Sequence, residues 1–111
     1  MKREERLTKP DQYTLVYNKG NTHSDRFLVL KAMPNLLELS RYGISVSKRT
    51  GKSVVRNRTK RLLREILRLV PLDPGWDMIF IARGPAADSN YKQLEQSVIN
   101  LLSRARILAK R

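Results

Sequence analysis

The run KSVVRNRTKRLLREILR, residues 52–68, most constrains what this chain can fold into. At about 100° per residue, a helix here places Val55, Leu62, Ile66 and Leu69 on one side. Asn57, Lys60, Arg61, Arg64 and Arg68 then fall roughly opposite. One side needs a core to lie on; the other cannot enter one. Lys52, Arg56, Arg58, Lys60, Arg61, Arg64 and Arg68 are basic, and Glu65 is the only acid among them. A face that dense repels itself unless a polyanion lies along it, and nucleic acid is the obvious polyanion.

Charge elsewhere sharpens the point. The chain has 111 residues, with 23 Lys plus Arg against 10 acids, for a net charge of +13. Between Arg41 and Arg68 stand ten basic residues and one acid, a net +9, so most of the excess sits in a quarter of the chain. Such concentration points to a binding surface rather than general solubility. Arginine outnumbers lysine there, and its planar fork suits phosphate. The bland alternative, a solvated charged face, would intersperse glutamates. No long apolar run or lipidation signal points to a membrane. Without cysteine, disulfides and thiolate metal sites are excluded. The start, MKREERLTK, lacks the apolar core of a signal peptide, so a cytoplasmic protein is expected.

The length fits one domain over 1–111, and 41% hydrophobic residues suffice for a modest core. Pro10 just inside a start at Thr8–Lys9, with Gly20 past its end, predicts a short first helix. FLVLK, 27–31, reads as a strand covered on both faces, and Pro34–Asn35 as a turn. RYGISVS, 41–47, alternates: Tyr42, Ile44 and Val46 point one way, and a small polar face points the other, leaving room for a ligand. A basic turn, 48–52, leads into a helix over 53–69, which Pro71, Pro74 and Gly75 end. DMIFIA, 77–82, is another buried strand. Asp88 or Ser89 would cap a last helix with a stripe of Leu94, Val98, Leu101 and Leu102. The expectation is a small α+β, split-β domain in the order α-β-β-α-β-α, with a sheet of four strands or fewer.

The central segment resembles the protein subunit of bacterial ribonuclease P. The resemblance rests on Gly43-Ile44-Ser45-Val46-Ser47-Lys48-Arg49, Gly51, Val55-Arg56-Asn57-Arg58 and Lys60-Arg61-Leu62-Leu63-Arg64-Glu65. Arg6-Leu7, Tyr13 and Tyr17, Gly20, Phe27 and Ile81-Ala82-Arg83 agree in order. It implies a noncatalytic protein beside a catalytic RNA, which uses Mg²⁺ to remove the 5′ leader of precursor tRNA. It also implies a left-handed βαβ crossover, against the general right-handed rule. The implied complex holds one protein per RNA, with the protein monomeric.

By that resemblance, Arg56, Asn57, Arg58, Lys60, Arg61 and Arg64 contact the catalytic RNA, and Arg68 extends the same face. Lys48, Arg49 and Lys52 would touch RNA backbone, since the phosphate-loop spacing GxxxxGK[ST] is not met. Tyr13 and Tyr17 read either as core aromatics at i,i+4 or as a stacking platform for unpaired leader bases, with Phe27 as a third member. The family resemblance favours the platform. His23, the single histidine, lies in a polar loop, Asn-Thr-His-Ser, and receives no site. No catalytic residue is assigned, and the dispersed aspartates show no protein-held metal pair. The competing reading is a noncatalytic structural RNA-binding protein of ribosomal type.

Overall fold

A computed structural model describes residues 4–109. Along the chain run β1 (Glu4–Arg6), α1 (Pro10–Lys19), β2 (Asn21–Ser24), β3 (Leu28–Pro34) and β4 (Ser40–Ser45). After them come α2 (Ser53–Leu69), β5 (Trp76–Ala82) and α3 (Tyr91–Arg104). Short 3-10 turns occupy Lys48–Thr50 and Gly84–Asp88. The sheet order is β1-β4-β5-β3-β2, with β4 parallel to both β1 and β5 and the remaining pairs antiparallel. Four longer strands form the body of this α+β domain, and the three-residue β1 finishes one edge. Because β4 and β5 are parallel neighbours, the chain must cross over between them, and α2 is that crossover.

Strand alternation divides the side chains between two layers. Leu28, Leu30, Ala32, Tyr42, Met78, Phe80 and Ala82 face α2 and α3 and join Leu63, Ile66, Leu67, Leu94, Val98, Leu101 and Leu102 in the main core. Each such fully buried large side chain contributes about 1.5–3 kcal/mol from leaving water. On the other sheet face lies a much smaller cluster of Leu7, Val16 and Ile79, edged by Tyr13, Met33 and Ile81. The helix α1 covers only that part of the face.

Local signals mostly act as expected. Pro10 opens α1, Gly20 follows it, and Gln12 Oε1 accepts from the N–H groups of Thr8 and Lys9. The crossover helix spans 53–69 as its periodicity predicts. Five expectations need correction. Asn21–Ser24 is a strand, not a loop; it pairs on one side only, so it needs no apolar run. The next strand begins at Leu28 and runs to Pro34, which lies at its end opposite Trp76 rather than in a turn. The strand expected over 41–47 ends at Ser45. Asn90, not Asp88 or Ser89, caps α3, accepting from Gln93 N–H at 2.8 Å, because 84–88 is taken up by the 3-10 turn. Finally, Leu69 is 65% exposed, while Leu63 and Leu67 are buried. The true apolar centre of α2 is rotated toward Leu63, so Leu69 falls well outside it.

Candidate nucleic-acid interface

The basic surface is built on a helix anchored in the main core. With Thr59, Leu63, Ile66 and Leu67 buried, positions about 140–200° round the helix must face water. Asn57, Arg61, Arg64 and Arg68 occupy that arc, and all four are exposed. Lys60 is half-buried at its margin. Arg56 and Arg58 lie on opposite flanks, half-buried, so the Arg-Asn-Arg motif straddles the helix rather than forming one flat patch. Arg58 Nη2 donates to the Ser89 carbonyl at 2.9 Å, tying α2 to the approach of α3. Arg56 Nη2 donates to Ser53 Oγ at 3.1 Å, while its buried Nε has no partner among the described residues.

The N-terminus of α2 carries an unusual charge arrangement. A helix start exposes N–H groups and the positive end of the dipole, which favours acids or a capping oxygen. Here the N-cap is Lys52, no side chain caps it, and the first turn holds no acid. Lys48 and Arg49, both exposed, stand in the turn just before it. Gly51 permits that turn with φ of +151°, a conformation side-chain-bearing residues rarely adopt. Positive charge placed on a positive helix end is unfavourable until an anion arrives, and phosphate is well suited to this position.

Arg41, counted with the basic segment by sequence, is not part of this surface. Its Nε and Nη2 clasp the carboxylate of buried Asp77 at 2.8 and 2.6 Å. That pair, with Asn35 Nδ2 donating to Asp77 Oδ1 at 2.9 Å, joins β4, β5 and the loop before β4.

The second candidate surface lies on the other sheet face. Tyr13 packs over Gly43, where a Cβ would come within 2.5 Å of the Tyr13 hydroxyl oxygen. The small face of β4 therefore receives α1's own tyrosine at that point, correcting the expectation of open space there. Tyr13 Oη donates to the Leu7 carbonyl at 3.3 Å and is half-buried. One turn on, Tyr17 is 37% exposed and carries no comparable anchor. The neighbouring strand row of Val29, Ile81 and Ser45 remains half-exposed beside α1. Lys31, on the same sheet face, donates from Nζ to the Tyr17 carbonyl at 3.3 Å. Sequence reasoning missed Lys31; alternation against Leu28 and Leu30 could have placed it there.

Phe27 is not beside the tyrosines. It precedes β3, packs against the main core, and lines a groove of about 550 Å³ with Asp25, Asn90, Gln93, Gln96 and Asn100. Arg26 stands 5.7 Å from its ring centroid. Asp25 fixes this corner: Oδ1 accepts from the N–H groups of Phe27 and Leu28, and Oδ2 from Ser97 Oγ. Among the described residues, no three His, Cys, Asp or Glu side chains gather as a metal set.

Known proteins share this fold. The family model described as Ribonuclease P matches residues 1–106. The ribonuclease P protein component of Dehalococcoides mccartyi is 48% identical over 110 residues, covering 99% of this chain and 92% of the relative. That of Clostridium botulinum is 43% identical over 108 residues, with 95% and 97% covered. Among solved structures, a Staphylococcus aureus RNase P protein mutant with defective mRNA degradation activity superposes with a TM-score of 0.86 at 32% identity. It covers 93% of this chain and 89% of that one. The Thermotoga maritima RNase P protein gives 0.79 at 28% identity, covering 89% and 96%.

Proposed function

The chain belongs to the bacterial ribonuclease P protein family, as a protein component of that tRNA-processing endoribonuclease, and on that premise we propose how its two surfaces serve the holoenzyme. The exposed face of α2, with the basic turn before it, binds the catalytic RNA. The α1 side of the sheet, with Tyr17 at its rim and Tyr13 beneath, holds the single-stranded 5′ leader of precursor tRNA. Bond cleavage belongs to the RNA, which also holds the Mg²⁺. That metal would supply the electrostatic stabilisation and activated water for phosphodiester hydrolysis. The protein's own residues bind, orient and screen charge.

The observation that carries this reading is the exposed, acid-poor arginine arc of α2 beside an N-terminus that no side chain caps. Arginines at that density lower the repulsion between two RNAs brought together. The two surfaces adjoin, since the chain leaves Ser45 of the leader face and enters the basic turn at Lys48 only three residues later. A leader lying on the sheet would thus emerge toward the RNA-binding helix. Phe27 remains in the leader site only if the leader also reaches the α3 groove.

No described helix is long and apolar enough to cross a membrane. A cytoplasmic location and a one-to-one complex with the catalytic RNA complete the proposal. Reconstitution tests it. Protein alone should leave precursor tRNA intact, and adding it to the catalytic RNA should restore leader cleavage at near-physiological Mg²⁺. Tight RNA binding without restored cleavage would point instead to a purely structural RNA-binding role.

A further inference from the structure

We propose that Arg6, on the short edge strand β1, completes a phosphate-binding cleft with Arg61, Arg64 and Arg68 of α2. The cleft measures about 360 Å³ and is lined by these four arginines together with Tyr42 and Glu65. Two distant parts of the sequence meet there for a simple reason. Arg6 is in register with Tyr42 across the parallel β1–β4 pair, so both side chains project from the sheet face that α2 covers. The helix then brings Arg61, Arg64 and Arg68, at i, i+3 and i+7, along the opposite wall.

Charge makes the cleft a site rather than a crevice. Among the described lining residues, four guanidinium groups and one carboxylate leave a formal +3. Arg6, Arg61, Arg64 and Arg68 are all exposed, and none of their side chains makes a hydrogen bond or ion pair among the described residues. Like charges facing one another across a groove are unfavourable until an anion enters, whereas a phosphate can take paired N–H donors from two walls at once. A lone row of arginines on α2 would bind phosphates from one side only. With β1 as the second wall, one phosphate group is gripped between strand and helix.

This inference rests on the reading of α2 as the catalytic-RNA surface, and its ligand is a backbone phosphate of that RNA. A free polyphosphate has the same chemistry, so the test separates the two. The affinity of the full chain for the catalytic RNA is measured at several salt concentrations for the native protein, Arg6→Ala, Arg61→Ala, Arg64→Ala and the variant combining Arg6→Ala with Arg64→Ala. Lys92→Ala, exposed on α3 away from the cleft, removes one charge as a control. Arg6→Ala is expected to weaken binding about five- to tenfold near physiological salt, and Lys92→Ala less than twofold. Because one phosphate is shared, the double variant should depart from the product of the two single effects by at least about threefold. Arg6→Lys should fall between native and alanine, keeping the charge but losing the fork.

Unchanged affinity in Arg6→Ala, with a clear loss in Arg61→Ala and Arg64→Ala, would overturn the cleft and leave the α2 reading standing. Loss in none of the three would overturn both. Multiplicative single effects would mean separate phosphates, not a shared one. An equal loss in Lys92→Ala would reduce the effect to net charge. Stabilisation of the native protein by inorganic pyrophosphate that Arg6→Ala abolishes, with RNA affinity unchanged, would make the cleft a free-anion site and overturn the RNA assignment.

Discussion

The helices α1 and α2 both present a candidate RNA-binding surface, but they are held in place very differently. Seventeen-residue α2 buries Thr59, Leu63, Ile66 and Leu67 in the main core and turns its arginines outward. Ten-residue α1 buries only Val16 and rests on the small cluster with Leu7 and Ile79. Long-range attraction to a large RNA needs charge on a firm support, and its geometry tolerates some error. Stacking on an unpaired base needs an aromatic face within van der Waals reach, and a lightly anchored helix can adjust to supply it. On the proposed assignment, electrostatics would sit on the more deeply anchored layer and shape recognition on the less anchored one.

The largest expected effect tests the firm support itself. Leu63→Ala should cost about 2–5 kcal/mol of folding stability, because it leaves a cavity in the main core. Leu69→Ala, six residues on but mostly exposed, should stay within about 0.5 kcal/mol of the native value. Urea denaturation of the two variants reads the rotation of α2 directly. Equal costs would mean that the helix is turned by a large fraction of its circumference from the setting described above.

Next in size comes the charged face. Arg61→Ala combined with Arg64→Ala should weaken assembly with the catalytic RNA about ten- to a hundredfold while far-UV spectra stay native. Each lost phosphate contact should reduce the log–log salt slope by somewhat less than one. The change should fall equally on complexes with precursor and mature tRNA. A selective loss for precursor would move leader recognition onto α2 and erase the contrast with α1.

On α1 the structure separates two tyrosines that look equivalent by spacing. Tyr13 fills the space over Gly43 and donates to the Leu7 carbonyl, whereas Tyr17 stands at the rim. Tyr17→Ala should cost precursor affinity relative to mature tRNA about 1–3 kcal/mol, with little change in thermal midpoint. Tyr17→Phe should be nearly neutral, since the ring face remains. Tyr13→Ala should lower the midpoint as well as the precursor preference. If Tyr17→Ala lowers the midpoint and spares the preference, Tyr17 belongs to the core and the leader surface loses its rim.

How far the sequence was legible follows the same division. Periodicity placed α2 at 53–69, and charge marked which of its sides is exposed, because both properties are carried by consecutive residues. It misplaced the apolar centre toward Leu69, since leucine and isoleucine line both flanks and only packing against α3 selects Leu63 and Leu67. The edge strand Asn21–Ser24 was invisible, as a strand paired on one side needs no hydrophobic pattern. Phe27 was grouped with Tyr13 and Tyr17 by residue type. The Asp25 turn places it on the α3 side instead, and that turn depends on Ser97, far along the chain. Arg41 counted as surface charge until its partner Asp77, 36 residues away, was in view.

The smallest effect divides the Arg-Asn-Arg motif internally. Asn57 is exposed on the arc proposed to face RNA, and its replacement by alanine should leave folding stability within about 0.5 kcal/mol while weakening RNA assembly. Arg58 lies on the flank and donates to the Ser89 carbonyl, next to the Asn90 cap of α3. Removing that charge-assisted bond should cost about 1 kcal/mol of stability, at the low end because the side chain is only half-buried. Arg58→Lys retains the charge but reaches the carbonyl with a single ammonium and a different geometry, so it should recover RNA affinity better than stability. Thermal midpoints and RNA affinities for Asn57→Ala, Arg58→Ala and Arg58→Lys resolve the two roles. If Arg58→Ala changes affinity alone, the contact to Ser89 contributes nothing to the fold, and all three motif positions belong to the RNA surface.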